Sequence, residues 1–373
     1  MSDPTAWPDR RLLDLLRLEL PILQAPMAGS STVEMAIAVA RAGGLGALPC
    51  ALISAETARD QVARFREAVR APLNLNFFCH TPPEPDADAQ GRWRARLAPY
   101  YAELGLDADT PAPAASRAPF DEDFCRVVED LRPEVVSFHC GLPAQALLAR
   151  VKAAGAQVLS SATTVAEARW LADRGCDAVI AMGFEAGGHR GSFLTQDMAA
   201  QPGTFALVPQ IAEAVEIPVI AAGGVADGRG VAAAFALGAS GVQVGTAYLR
   251  TPEAAIPDFH RRALAQARDD GTAVTNLFTG RPARGLYNRL MREVGPLSSD
   301  APPFPTAAGA LAPLRAARPG PDFTNLWAGQ AAALAVETDA ESLTRRLAAD
   351  GLARLARLAG LSGRPGPASR PGA

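Results

Sequence analysis

Eight short apolar segments recur along the chain, and amphipathic stretches follow them. The apolar segments are PILQAPM (21–27), GLGALP (44–49), PLNLNFF (72–78), EVVSFHC (134–140), AQVLSSAT (156–163), DAVIAMG (177–183), IPVIAAGG (217–224) and SGVQVGTAY (240–248). Most are continuously apolar, which is typical of parallel strands buried on both faces. The stretches between them, such as TVEMAIAVARAG and TVAEARWLADRG, have helical spacing and end at glycines that can close a helix.

Strand and helix alternated eight times predict an α/β fold of the (β/α)8 TIM-barrel type. The competing fold is a doubly wound dinucleotide-binding sheet, which carries G-x-G-x-x-G after its first strand. The segment AGGLGALP does not fit that motif because Pro49 stands at the position of the third glycine. The barrel is therefore the favoured architecture.

Two segments interrupt the alternation. The first, about 80–120, is rich in Pro and Asp and is expected to be a long excursion after the third strand. The second, 251–335, is predicted to form a small inserted substrate or cap domain, with 12–250 and 336–360 forming the barrel. Residues 361–373 resemble a linker and are predicted to be a disordered tail.

Composition and charge exclude several classes of function. The net charge of −3 gives no basis for binding nucleic acid or an anionic membrane surface. The N-terminal segment is charged and lacks the apolar core of a signal peptide, and no apolar run is long enough to span a bilayer. The five cysteines are scattered without a C-x-x-C pair, which predicts a reduced, cytoplasmic chain without a bound metal.

Glycines and polar residues collect where the predicted strands end. They are Gln24, Ala25, Pro26, Met27, Asn74, Asn76, His139, Ser160, Ser161, Gly187, Gly188, His189, Gly223, Gly224, Gly245 and Thr246. In a barrel these ends share the rim that carries the active site. The pairs Gly223-Gly224 and Gly245-Thr246 follow the last two strands, where bare backbone N–H groups bind phosphate in this fold. They predict a phosphate-bearing cofactor, the alternative being turn glycines without a ligand.

Taken in order, several of these segments resemble one protein family. QAPMAG, AGGLGAL, LNLNFF, VVSFHCGLP, EAGGHRG, IPVIAAGGVADGRGVAAAFALGASGVQVGT, FTGRPARG and LWAGQAA are similar to motifs of the class I nitronate monooxygenases, formerly called 2-nitropropane dioxygenases, over about 20–350. The resemblance implies an FMN-dependent TIM barrel that uses O₂ to oxidise alkyl nitronates, such as propionate 3-nitronate, to a carbonyl compound and nitrite. It implies no metal, and a homodimer is one possible assembly.

The resemblance also implies roles for individual residues. Pro26, Met27 and Ala28 would line the isoalloxazine ring and Asn76 would hydrogen-bond to it. Gly187 and Gly188 would flank the cofactor, with Gly223, Gly224, Gly245 and Thr246 around its phosphate. Ala25, Ser161 and Gly183 complete the predicted cofactor site. His189 in EAGGHRG matches the active-site histidine of the family.

Histidine suits the chemistry expected at this position. With a reference pKa near 6.5, an imidazole can donate to an anionic nitronate or take the α-proton of a neutral nitroalkane. From the residues alone, His189 could instead cap its loop through a backbone hydrogen bond. His139 either contacts the nitro group or is a satisfied core histidine. Arg190 could attract anions, although an arginine after a loop is more often exposed and solvated.

Two residues depart from the family pattern, namely Met182, where relatives carry Gln or Glu, and Phe304, where close relatives carry tyrosine. Both changes predict a less polar pocket. Two alternative functions therefore stay open at this point: an NAD(P)H-dependent flavin reductase of the enoyl-reductase type, and a non-catalytic flavin-binding protein.

Overall fold

The structure is a computed structural model that describes residues 7–107 and 117–362. Its strands are β1 (Ile22–Gln24), β2 (Gly46–Pro49), β3 (Leu73–Phe78), β4 (Val135–His139), β5 (Gln157–Ala162), β6 (Ala178–Met182), β7 (Gly188–His189), β8 (Val219–Ala222), β9 (Gly241–Val244), β10 (Thr272–Thr275) and β11 (Ala283–Leu286). Eight of them form a parallel sheet in the order β1-β9-β8-β6-β5-β4-β3-β2, and β10-β11-β7 form a small antiparallel sheet.

The parallel sheet curls into a barrel. Its end strands β1 and β2 are brought together by a parallel bridge between Leu23 and Leu45. Strands such as β6 and β8 are buried at every residue, which explains why their sequences are continuously apolar. All eight predicted strands form where the sequence placed them, and the prediction of a TIM barrel is confirmed.

Helices precede the first strand, lie in most of the connections between strands and follow the last strand. They are α1 (Arg11–Leu16), α2 (Val33–Arg41), α3 (Ala55–Ala68), α4 (Ala87–Glu103), α5 (Glu122–Leu131), α6 (Gln145–Ala153), α7 (Val165–Asp173), α8 (Thr204–Ala214), α9 (Gly228–Ala236), α10 (Asp258–Ala265), α11 (Arg289–Val294), α12 (Ala308–Ala317) and α13 (Ala340–Ser362). Side-chain oxygens of Thr32, Ser54 and Thr164 cap α2, α3 and α7 by accepting from a backbone N–H in the first turn. None of the helices in the described ranges has the length and apolarity to cross a membrane.

Two hydrophobic cores are found in the described ranges. The larger one fills the barrel and its helices. The second joins α4 to α11, α12 and Phe323, and the Trp93 indole donates to the Ala307 carbonyl at 3.1 Å while the Tyr101 hydroxyl donates to the Ala310 carbonyl at 2.6 Å. Helix α4, which lies within the predicted excursion, therefore packs against α12. The two-domain division stays a prediction, and most of the predicted tail, from 363 on, lies outside the described residues.

Candidate active site

A cavity of about 600 Å³ lies at the carboxyl ends of the barrel strands, within the size range of small-molecule sites. The predicted site residues that line it are Ala25, Pro26, Met27, Ala28, Asn76, His139, Ser161, Gly187, Gly188, His189, Gly223, Gly224, Gly245 and Thr246. Gly183 is the one predicted cofactor residue that does not line it, and Gln24, Asn74 and Ser160 of the predicted rim are buried away from it. The Gly183 carbonyl accepts from Arg190, and a Cβ there would clash with the backbone of Thr204. The roles of these residues stay predictions.

One wall of the cavity is almost bare backbone. A Cβ at Gly187 would lie 2.5 Å from the backbone nitrogen of Gly329, and a Cβ at Gly223 would lie 2.8 Å from that of Ala186. Gly223 also has a φ of +106°, which side-chain-bearing residues rarely adopt. Within the described residues, the N–H groups of Gly224 and Thr246 have no backbone acceptor. These free donors fit the phosphate of a cofactor.

His189 is held over the cavity by the small sheet. It lies in β7 and pairs with Ala283 of β11, and its Nε2 lies 3.0 Å from the Thr279 hydroxyl. Aromatic rings surround the imidazole, with centroid separations of 5.3 Å to Phe304 and 5.4 Å to Trp327. Burial, and then the charge of Arg117, holds the pKa of His189 well below its usual value. The imidazole is therefore neutral at pH 7.

The second predicted histidine supports the loop that carries the first. His139 Nε2 lies 3.0 Å from the His189 carbonyl, and its Nδ1 lies 2.7 Å from the Ser161 hydroxyl. Burial lowers the pKa of His139 to about 4. Both ring nitrogens have partners while the ring still lines the cavity, so contact with a substrate stays a prediction.

Arg190 is not the exposed arginine that the sequence favoured. It is fully buried, and its guanidinium donates to the carbonyls of Met182 and Gly183 and to the side-chain oxygen of Gln201. Each of the three guanidinium nitrogens has an acceptor, so Arg190 ties the His189 loop to the end of β6. The sequence could not reveal this because two of the acceptors are backbone atoms.

Glu167 fixes the other side of the same loop. Its buried carboxylate accepts from the Thr163 backbone N–H and hydroxyl at 2.7 and 2.8 Å, and from the N–H groups of Phe193 and Leu194 at 2.6 and 3.0 Å. One side chain thus ties α7 and the end of β5 to the segment after His189.

We expect Glu167→Ala to lower the free energy of unfolding by about 3 kcal/mol, because it leaves several buried donors without an acceptor. Urea unfolding monitored by circular dichroism measures the change. Glu167→Gln keeps one acceptor oxygen and serves as the matched control, with a smaller expected loss. Equal stability of Glu167→Ala and the unmodified chain would contradict this role.

Several cavity residues were missed by the sequence analysis: Arg117, His260, Arg315, Asn325 and Trp327. Only Trp327 belongs to one of the motifs, LWAGQAA, and all five reach the cavity from outside the barrel strands. The Arg117 guanidinium lies 5.9 and 5.8 Å from the ring centroids of Phe78 and Phe304, close to His189. Phe304 is buried beside His189. Met182 lines the cavity. Both positions agree with the less polar pocket that the sequence predicts.

Comparison with known proteins agrees with the motifs. A sequence profile of the family described as nitronate monooxygenase matches residues 9–350. The nitronate monooxygenase of Paraburkholderia phytofirmans is 40% identical over 354 residues, which covers 93% of this chain and 96% of the relative. That of Pseudomonas aeruginosa is 41% identical over 346 residues, or 90% of this chain and 97% of the relative.

Among solved structures, nitroalkane oxidase from Streptomyces ansochromogenes has 39% identity and a TM-score of 0.84, and the match covers 94% of this chain and 99% of that chain. The profile and the relatives extend over nearly all of the barrel and the segment after it. The resemblance inferred from the motifs is confirmed. This chain belongs to the nitronate monooxygenase family, a family of flavoprotein oxidoreductases.

Proposed function

We propose that this chain is an FMN-dependent monooxygenase that uses O₂ to convert alkyl nitronates into a carbonyl compound and nitrite. One observation carries the proposal beyond family membership. The neutral imidazole of His189 lines the same cavity as the glycine backbone at Gly223 and Gly224.

The residues of the cavity fit FMN. Gly223, Gly224, Gly245 and Thr246 would hold its phosphate through backbone donors, and the small residues after β1 would lie against its ring system. Asn76 is buried and its Nδ2 donates to the Ser137 hydroxyl at 2.9 Å, which fixes the side chain at the cavity wall. Bound FMN supplies the electron transfer and the O₂ chemistry, while the protein supplies orientation and electrostatics.

His189 and Arg117 have different roles toward the substrate. The Nδ1 atom of His189 makes no hydrogen bond with a described residue and is not enclosed by protein, so it is available to a ligand. A neutral imidazole can take the α-proton of a bound nitroalkane. The half-buried guanidinium of Arg117 would attract an anionic nitronate to the same cavity. A cytoplasmic location and a homodimer stay predictions from the sequence.

The cofactor is tested directly. We expect the purified chain to be yellow and to release about one FMN per chain, because the backbone donors at Gly224 and Thr246 would hold a single phosphate. Chromatography of the extracted flavin separates FMN from FAD. Colourless protein that takes up no added FMN would overturn this part of the proposal.

The reaction is tested by anaerobic mixing of the oxidised holoprotein with propionate 3-nitronate and, separately, with NADH. Bleaching of the flavin by the nitronate, followed by nitrite release in air, is the expected result. Bleaching by NADH alone would support the flavin-reductase alternative instead, and bleaching by neither would favour a non-catalytic flavoprotein.

A further inference from the structure

The short segment between β10 and β11 is bound to the loop that carries His189. The Arg190 N–H donates to the Pro282 carbonyl at 2.8 Å, and the Nε of Arg281 donates to the Arg190 carbonyl at 3.1 Å. Thr279, two residues before Arg281, is buried. These bonds hold the Thr279 hydroxyl in a fixed place beside the His189 ring.

The Thr279 hydroxyl lies between two polar atoms. It is 3.0 Å from Nε2 of His189 and 3.5 Å from the carbonyl oxygen of Arg281. A carbonyl oxygen only accepts, and among the described residues no backbone N–H donates to this one. Both Thr279 and Arg281 are buried, so a carbonyl left without a donor would be unfavourable. The hydroxyl therefore gives its single proton to the Arg281 carbonyl, and its oxygen accepts from Nε2 of His189.

This arrangement assigns the proton of the His189 ring to one nitrogen. The ring is neutral, because burial holds its pKa well below the usual value, and a neutral imidazole carries one proton. That proton lies on Nε2, which leaves a free lone pair on Nδ1. Nδ1 has no hydrogen-bond partner among the described residues and is not enclosed by protein, and His189 lines the cavity. The nitrogen that can take a proton is thus the one that is still accessible.

The backbone of His189 is fixed by the same rule. Nε2 of His139 lies 3.0 Å from the His189 carbonyl, which only accepts, so Nε2 carries the proton of the neutral His139 ring. Nδ1 of His139 then accepts from the Ser161 hydroxyl at 2.7 Å. The main chain and the side chain of His189 are each held by one hydrogen bond of defined direction, which orients the ring.

We propose that Thr279 is a positioning residue for proton abstraction: by accepting from Nε2 of His189, it keeps Nδ1 free as the base that takes the α-proton of a neutral nitroalkane. This inference rests on the proposed function. In that step the C–H bond breaks, its electron pair forms the nitronate, and the proton goes to Nδ1. The imidazolium that results still donates from Nε2 to Thr279, in a bond that its charge strengthens.

The tautomer is read directly by ¹⁵N NMR of the histidine-labelled holoprotein at pH 8. The chain has four histidines, and the signal lost in His189→Asn identifies His189. Thr279→Val removes the hydroxyl, and Thr279→Ser keeps it as the matched control. We expect protonated Nε2 and unprotonated Nδ1 in the unmodified chain and in Thr279→Ser, and a mixture of both tautomers in Thr279→Val, where Nε2 has lost its acceptor. Protonated Nδ1 in the unmodified chain, or an unchanged signal in Thr279→Val, would overturn the inference.

Kinetics with two substrates separate positioning from binding. In Thr279→Val we expect kcat/KM for neutral nitroethane to fall about 3- to 10-fold, the effect of one lost hydrogen bond, and kcat/KM for its nitronate to fall less. Equal losses for the two substrates at unchanged FMN content would contradict the positioning role. If the tautomer depends on Thr279 but neither substrate is oxidised, the proposed function is wrong and the tautomer assignment stands. If both are oxidised but the tautomer does not respond, the reaction stands and Thr279 has no positioning role.

Discussion

Replacing His189 by asparagine is expected to lower the turnover of neutral nitroethane by about 10²- to 10⁴-fold, the usual contribution of a positioned general base. Asparagine can still hydrogen-bond to Thr279, which accepts or donates at 3.0 Å in the unmodified chain, so the loop geometry is retained. The base itself is lost. Stopped-flow reduction of the flavin under anaerobic conditions measures the step, and FMN content is measured in parallel.

The nitronate of nitroethane provides the internal control for the same variant. It has already lost its α-proton, so a base is not needed and the loss of turnover should be smaller than for the neutral compound. Equal losses for the two substrates would show that His189 acts through binding or orientation. Turnover of both at the unmodified rate would remove His189 from the mechanism.

The pH profile follows from the depressed pKa of His189. Because burial and neighbouring cations disfavour the imidazolium, the ring is still an unprotonated base as the pH falls through 6.5. We expect kcat/KM for nitroethane to stay level from pH 8 to 6.5 and to fall only at lower pH. In His189→Asn this fall of kcat/KM at low pH should be absent. A limb centred at or above pH 6.5 in the unmodified chain would show that the imidazole is not neutral in the holoprotein.

The barrel could be predicted from the sequence because its strands are buried on both faces. Each residue of Val219–Ala222, for example, is buried, so the whole segment had to be apolar. The rim could be predicted as well, since parallel strands bring their carboxyl ends together. That rule alone placed Asn76, His139 and Gly245 beside one cavity before any contact was known.

The parts that could not be predicted depend on contacts between distant segments. The two residues of β7 pair with β11 nearly a hundred residues later, and a two-residue strand leaves no periodic pattern. The burial of Arg190 depends on backbone carbonyls, which every residue has. Arg315 resembles a solvated helix residue in the sequence, yet it lines the cavity from α12, a helix whose position depends on its packing with α4.

Gly223→Ala is expected to weaken FMN binding at least tenfold and to destabilise the chain by about 1–2 kcal/mol. Two effects combine here, since the backbone has a φ of +106° and the added Cβ would press on the Ala186 backbone at 2.8 Å. The added Cβ would also displace the neighbouring N–H groups that fit the phosphate. Fluorescence titration of the apoprotein with FMN measures the Kd, and urea unfolding measures the stability.

Gly155→Ala is the matched control, because it isolates the effect of a side chain at a positive φ. Gly155 has a φ of +96°, but a Cβ there would have open space around it, and the residue lies after α6, away from the cavity. It should therefore lose less stability than Gly223→Ala while binding FMN with an unchanged Kd. If Gly223→Ala also keeps the unmodified Kd, the bare backbone at the ends of β8 and β9 does not hold the phosphate. If both variants lose FMN equally, the effect is general destabilisation, and the glycine wall has no particular role in binding.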